Sequence, residues 1–288
     1  MKIAVIDVGS NSVRLGMIAD GKTLYKNIKT TRLGEGLSFS GAIKREAMER
    51  SAQAVAFFVE RAKSEGAEKT YVFATAAVRS AINGGDFVSL TRGLCGVEID
   101  VISGEKEAHI GMLGALGLSD GGMIDLGGAS TEVTVRRRGE TAYAKSVNIG
   151  AVRLYDLAGR DYATLEKVIA DKLPEYGVFS AKLDDMWGVS GTATTLAALK
   201  HGLKEYAPQV VQGTPLTVSE IENYALTLLN TPVEKICELC AVDARRADII
   251  GGGALLLARL MQKFEIEKIR VSDRDNLEGY LMLKEGAL

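Results

Sequence analysis

Cysteine is scarce: the 288 residues hold three, Cys95, Cys237 and Cys240. An odd, sparse set excludes a disulfide-stapled secreted scaffold and fits a reducing compartment, so a cytoplasmic location is expected. Histidine is scarcer still, present only at His109 and His201. The Cys237-x-x-Cys240 pair therefore lacks the partners of a four-ligand zinc site and reads as two helix residues one turn apart. A net charge of −2 leaves no broad field to hold nucleic acid or a membrane. Neither is an expected partner, and any polyanionic ligand must be met by local donors. Long apolar runs are missing too. Ile3-Ala4-Val5-Ile6 is broken at once by Asp7, far short of a signal or membrane span. No low-complexity segment or long linker interrupts the chain. What remains is an ordinary globular composition, 47% hydrophobic and 25% charged. At this length it favours two domains, each able to bury a core.

One pattern occurs twice. KIAVIDVGSNSVRLGMIAD (Lys2 to Asp20) and GGMIDLGGASTEVTVRRRG (Gly121 to Gly139) both read as an apolar strand, Asp-x-Gly, a small-residue turn and an alternating strand. Asp7-Val8-Gly9-Ser10-Asn11-Ser12 lies over Asp125-Leu126-Gly127-Gly128-Ala129-Ser130. So long a repeat spacing points to two related domains facing each other. A single copy is equally a hairpin with a polar turn. Two copies in register favour chemistry. An aspartate ending a buried strand must meet a metal, water or donors. Glycine lets the following amides turn toward a ligand, and amides with hydroxyls make a nest for phosphate oxygens.

Between and after the copies, Lys44 to Ser64 carries helical periodicity through Ala47, Met48, Ala52, Val55, Phe58 and Val59. Tyr71 to Ala74 reads as a strand, after which Thr75 to Arg79 opens a helix. Arg79 there offers a planar fork to phosphate, or else a surface salt bridge. A strand from Gly96 to Ile102 runs into Ser103-Gly104-Glu105-Lys106-Glu107, the start of a helix to about Gly117. First-turn carboxylates suit the helix dipole, which accounts for Glu105 better than for Glu107. Downstream, Ala163 to Leu173, Thr217 to Leu229 and Pro232 to Leu239 read as helices. The strand Asp185 to Val189 leads into Ser190-Gly191-Thr192, a helix N-terminus suited to anions. Gly251-Gly252-Gly253 precedes a helix from Leu255 to Lys263. There the glycines serve either the approach of a ligand or a close helix contact. A strand from Ile269 to Ser272 and a helix from Leu277 to Leu283 end the chain. Arg136-Arg137-Arg138 reads as a solvated hairpin tip.

IDVGSNSVRL, RLGEGL, ATAAVRSAIN, ISGEKEA, IDLGGASTE, NIGAVRL, GVSGTATTLAAL and RADIIGGGA follow one another in that order. Together they resemble the exopolyphosphatase and guanosine pentaphosphate phosphohydrolase (Ppx/GppA) family over nearly the whole chain. The resemblance implies an α/β protein of the two-domain superfold shared by actin, sugar kinases and heat-shock chaperone ATPases. Its ribonuclease-H-like domains are duplicated around an interdomain cleft. The implied domains are 1–118 plus 273–288, and 119–272. Departures are Ala129, where a third glycine is common, and Val271 to Gly279, which lacks the first glycine and the arginine of the family's C-terminal pattern. The length is similar to that of the short, two-domain members.

The resemblance also implies roles. Glu107, just before the alanine of the SGxxEA motif, is the catalytic glutamate that activates water. Arg79 stabilises developing charge. Phosphate falls to Gly9, Ser10, Asn11, Ser12 and Arg14, to Gly127, Gly128, Ser130 and Thr131, and to Ser190, Gly191 and Thr192. Asp7, Asp125 and Glu132 are the acids near a divalent cation, usually magnesium. The expected activity is release of the terminal phosphate of inorganic polyphosphate, favouring short chains. Guanosine pentaphosphate 5′-phosphohydrolase is the alternative of the same chemistry, and a nucleotide or polyphosphate sensor with little turnover the alternative of another class. A homodimer is compatible with either. No inserted acceptor domain suggests a kinase.

Overall fold

The computed structural model describes residues 1–179, 185–239 and 246–286. The chain forms two compact units, one from Met1–Gly114 with the segment from Asn276 on, the other from Ala115–Asp275. The boundaries expected from the sequence differ from these by a few residues.

The first unit runs β1 (Lys2–Val8), β2 (Ser12–Ala19), β3 (Lys22–Thr30), α1 (Leu37–Ser40), α2 (Arg45–Ser64), β4 (Lys69–Ala74), α3 (Ala76–Ser80), α4 (Gly84–Cys95), β5 (Ile99–Val101) and α5 (Gly104–Leu116). The C-terminal helix Asn276–Glu285 completes it. Its sheet has the order β3-β2-β1-β4-β5, with β1 to β3 an antiparallel meander and β4 and β5 parallel to β1. Strand β1 alternates as a two-sided strand must. Ala4, Ile6 and Val8 join Val55 and Phe58 of α2 in one core. Ile3 and Val5 join Phe73, Ile110, Leu277 and Tyr280 in another. Asp7 belongs to the second series by its odd position.

The departed C-terminal motif is part of this packing. Leu277 is fully buried against Gly16. Glu278 pairs with Lys26 at 3.0 Å and accepts from Thr23 Oγ1 at 2.8 Å. Gly279 lies so close to α5 that a Cβ would overlap the Ile110 carbonyl oxygen and stand 2.8 Å from the Gly114 nitrogen. The sequence reading has no helix where α4 stands, because Gly84, Gly85 and Gly93 interrupt its periodicity.

The second unit repeats the plan. It runs β6 (Gly121–Leu126), β7 (Thr131–Arg137), β8 (Glu140–Val147), α6 (Ala151–Ala158), α7 (Tyr162–Lys172), β9 (Met186–Val189), α8 (Ser190–Lys200), α9 (Pro208–Val211), β10 (Pro215–Thr217), α10 (Val218–Asn230), α11 (Val233–Leu239), α12 (Ile250–Lys263) and β11 (Lys268–Val271). Its sheet order is β10-β11-β9-β6-β7-β8. The antiparallel meander β6–β7–β8 and the parallel strands β9 and β11 correspond to β1–β2–β3, β4 and β5. Two copies of this ribonuclease-H-like topology make up the actin-like superfold.

Two local readings are corrected. The triple glycine lies inside α12, not before it. A Cβ on Gly251, Gly252 or Gly253 would stand 2.9, 3.3 and 3.0 Å from Leu229, Leu165 and Thr192, so these residues serve helix packing. Arg136 is buried, not solvated: it donates to the Gly117 carbonyl at 2.6 Å, while Asp120 accepts from the Arg138 and Gly139 amides. Cys237 is on α11 against the core, and Cys240 lies outside the described residues. Among the described residues no group of three metal-ligating side chains occurs, and no helix is long and apolar enough to cross a membrane.

Both hairpin tips are held from behind. In the first, the Gly9 amide closes on Ser12 O at 3.0 Å. The Ser10 carbonyl accepts from Gly34 at 2.8 Å, and the Asn11 carbonyl from Thr31 and Arg32 at 3.0 and 2.9 Å. In the second, Gly127 closes on Ser130 O at 3.0 Å. The Gly127 carbonyl accepts from Ala151, and that of Gly128 from Val152 and Arg153, at 3.0, 2.8 and 3.0 Å. Each clamp hinges on one glycine. A Cβ on Gly34 would reach Ser10 Cβ at 3.0 Å; on Gly150 it would lie 2.6 Å from the Gly127 carbonyl oxygen. The RLGEGL and NIGAVRL motifs are these clamps.

Two outcomes follow for stability. Gly279→Ala should lower it by about 2–3 kcal/mol, since the obstacle is backbone that cannot repack. Gly93→Ala, in α4 with open space around it, should raise it by about 0.5–1 kcal/mol. Thermal melts of both variants check the opposite signs. Equal effects would contradict the packing described.

Candidate active site

In the first unit the expected residues gather at the C-terminal ends of the parallel strands, where open α/β sheets bind ligands. Asp7 ends β1, Arg79 follows β4 on α3, and Glu107 follows β5 on α5. Glu107 is buried, 6% exposed, whereas Glu105 is exposed. Helical geometry explains the split, for residues two apart on a helix point to different faces. Arg79 Nη1 donates to Glu107 Oε2 at 2.8 Å and to the Ile102 carbonyl at 2.9 Å. The arginine thus ties the carboxylate to the strand end from which α5 departs. The contact is an ion pair, one of the two roles the sequence offered for Arg79, made here with a buried carboxylate.

Around Asp7 the cross-strand register decides the chemistry. Asp7 stands directly opposite Arg14, whose Nε donates to Asp7 Oδ2 at 3.0 Å and whose Nη2 makes a second, shorter contact. Of the expected phosphate ligands here, Arg14 is therefore engaged with the aspartate. Because the Ser10 carbonyl is clamped from behind, the Asn11 N–H of the same peptide unit faces away from the clamp, and the Ser10 N–H precedes it in the turn. Among the described residues these two amides donate to no backbone carbonyl. Gly9 supplies the turn, and Ser12 is buried at the start of β2.

The second unit uses the same register with the charge changed. Asp125 stands directly opposite Glu132, both at most 2% exposed. Directly opposed residues bring their Cβ atoms to about 5 Å on one face of the sheet. Each carboxylate has a hydroxyl donor: Ser190 Oγ on Asp125, and Ser146 Oγ on Glu132 at 2.6 Å. Beneath them Tyr176 is fully buried with its hydroxyl directed to the Thr131 carbonyl at 3.3 Å. Burial, with the charge of Glu132 next, pushes its phenol far above the ordinary range, so it stays neutral. Two adjacent carboxylates rich in hard oxygen donors fit a divalent cation of the magnesium type, which uses one or two carboxylates and completes its shell with water and phosphate. The expected three-acid set thus separates into a pair, Asp125 and Glu132, and an ion-paired Asp7.

At the second hairpin tip the amides of Gly128, Ala129 and Ser130 donate to no backbone carbonyl among the described residues. Thr131 contributes differently from the expectation: its hydroxyl proton goes to the Ile149 carbonyl at 2.6 Å, which secures the clamp segment. Ser190 likewise gives its proton to Asp125 and has φ of +68°, a conformation rare outside glycine that costs on the order of 1 kcal/mol or more. It turns β9 into α8, whose first-turn amides at Gly191 and Thr192 have no intrahelical acceptors. Arg246 lies across this turn. A Cβ on Gly191 would stand 2.8 Å from its guanidinium carbon. The reading of RADIIGGGA dwelt on its glycines and missed this arginine. The signal was its place at the head of a motif that accompanies the phosphate turns.

The model of the Ppx/GppA phosphatase family matches residues 16–286. The exopolyphosphatase 2 of Mycobacterium tuberculosis is 28% identical over 99% of both chains. A guanosine-5′-triphosphate,3′-diphosphate pyrophosphatase of Photobacterium profundum is 34% identical over 96% of this chain and 58% of its own length. The crystal structure of an exopolyphosphatase-like protein superposes with a TM-score of 0.90 at 28% identity, covering 99% of each chain. With a match that takes in α5, both clamp segments and the whole second turn, the chain belongs to the Ppx/GppA phosphatase family.

Proposed function

We propose that this protein is an exopolyphosphatase, a magnesium-dependent hydrolase that removes the terminal phosphate of inorganic polyphosphate. The observation that carries the reading is the buried Glu107, held by Arg79 at the strand ends beside an outward-facing amide turn. The similarity to an exopolyphosphatase along the full length of both chains supports polyphosphate over a guanosine polyphosphate.

Phosphoryl transfer to water asks for positioning and charge stabilisation more than covalent chemistry. The amides of Ser10 and Asn11, and those of Gly128 to Ser130, offer fixed donors to phosphate oxygens without rearrangement at the moment of reaction. Asp125 and Glu132 would hold the cation, with Ser190 and Ser146 fixing their orientation. When bound, that ion neutralises phosphate oxygens and the charge developing on them. Glu107, with Arg79 on its Oε2, orients a water and takes its proton as general base. Arg79 keeps the carboxylate aimed. Arg246, over the α8 turn, adds a cation for the remaining phosphates of the chain.

The reading is tested by phosphate release from polyphosphates of defined length beside guanosine pentaphosphate and ATP, with and without magnesium. Faster release from polyphosphate, lost on chelation, supports it. Faster release from guanosine pentaphosphate would move the assignment to that nucleotide. Glu107→Gln should lower kcat by about 10²-fold or more while substrate still binds, and Glu105→Gln by less than about threefold. Similar losses in both variants would remove Glu107 from the role of base. Glu132→Gln should raise the magnesium concentration for half-maximal rate by about tenfold or more. An unchanged magnesium titration would place the cation elsewhere.

A further inference from the structure

Arg153 is absorbed by none of these roles. It lies in the first turn of α6, and its main-chain N–H donates to the Gly128 carbonyl at 3.0 Å. Its Cα is therefore one hydrogen bond removed from the second hairpin tip, within a side chain's reach of the outward amides at Gly128, Ala129 and Ser130. The side chain is half-buried, and its Nε is fully buried with no hydrogen-bond partner. Among the described residues no ion pair reaches the guanidinium; Asp156, one turn along the same helix, acts on it only through its charge. Burial pushes the group below the ordinary arginine range while Asp156 opposes the shift. It remains cationic at neutral pH.

Other arginines withdrawn from water in this unit are treated differently. Arg136 caps the Gly117 carbonyl. Arg160 donates to the Leu228, Leu229 and Thr231 carbonyls at the end of α10. Arg259 is gripped by Glu166 and Glu222. A guanidinium N–H removed from water without an acceptor, as at Arg153 Nε, is a cost that folding does not recover, and an anion bound to the group offsets it. Its five N–H donors in a planar fork match phosphate oxygens.

We infer that Arg153 is a further binding residue, contacting a phosphate of the bound polyphosphate beside the Gly128–Ser130 amides. The inference rests on the polyphosphate reading above and adds to it a residue that favours a chain of phosphates over a single one. The experiment uses the full chain with tripolyphosphate as probe, in two readouts. The first is the thermal shift by tripolyphosphate without magnesium, which needs no turnover. The second is hydrolysis with magnesium at several salt concentrations. Arg153→Gln should lose at least half of the thermal shift and raise KM about tenfold, with kcat falling less than threefold. Its slope of log KM against log salt should drop by about one, the signature of one lost phosphate contact. Arg153→Lys should keep the salt slope and recover part of the affinity. A wild-type shift, KM and salt slope in Arg153→Gln would overturn the inference, as would an equal loss in Asp156→Asn, which would mark the pair as structural. If tripolyphosphate stabilises the wild-type protein but is not hydrolysed, the enzymatic reading fails while the binding role is still decided by the shift. If it neither stabilises nor is hydrolysed, both fall.

Discussion

The carbonyl groups behind each Asp-x-Gly turn hold the proposed phosphate sites in place. A peptide unit points its carbonyl and the N–H of the following residue in opposed directions, so anchoring one fixes the other. At Ser10 and Asn11 the anchors are the amides of Thr31, Arg32 and Gly34; at Gly127 and Gly128 they are those of Ala151, Val152 and Arg153. Each anchor segment follows the third strand of its meander and approaches the turn through a glycine that tolerates no Cβ at that distance. Without the clamp, the amides would be free to turn inward, and a preorganised anion nest would become an ordinary hairpin loop. The sheets, the meanders and the clamp segments together serve to keep a few N–H groups directed outward.

The duplication preserves geometry and reverses charge. Seven residues after each strand-end aspartate, and directly opposite it, stands Arg14 in one copy and Glu132 in the other. The first arrangement neutralises its carboxylate internally. The second gathers two carboxylates on one face, an arrangement that a cation favours. One ancestral hairpin thus yields an anion turn in the first unit and, in the proposed reaction, an anion turn with a metal ligand set in the second. The proposed base is on another element, α5, where Arg79 holds Glu107 against the end of β5. A carboxylate that is buried and fixed by a charged donor loses little orientation when a water must be aligned in front of it.

Much of this was legible in the sequence because it depends on local pattern. The repeat exposed the duplicated topology, alternation along β1 exposed its two-sided burial, and the SGxxEA motif separated Glu107 from Glu105, which the structure then divides into buried and exposed. What escaped the sequence depends on neighbours distant along the chain. That Arg79 meets Glu107, that Thr131 and Ser190 give their protons to Ile149 and Asp125, and that Arg246 covers Gly191 are facts of tertiary contact. Composition misled at two places. Glycines of α12 looked like a ligand approach but fill helix contacts, and arginines at a hairpin looked solvated although Arg136 ties down the end of α5. Glycine-rich α4 went unread because its burial comes from a few positions around Phe87 and not from a periodic stripe.

The central claim is that water, activated beside Glu107, attacks the terminal phosphorus of the chain. Its most direct test is phosphorus NMR of polyphosphate hydrolysis in ¹⁸O-labelled water with magnesium. The account predicts orthophosphate as the released product, carrying one solvent oxygen, with no label in the shortened chain. Label at the new chain end, or release of oligophosphate fragments in place of orthophosphate, would contradict it.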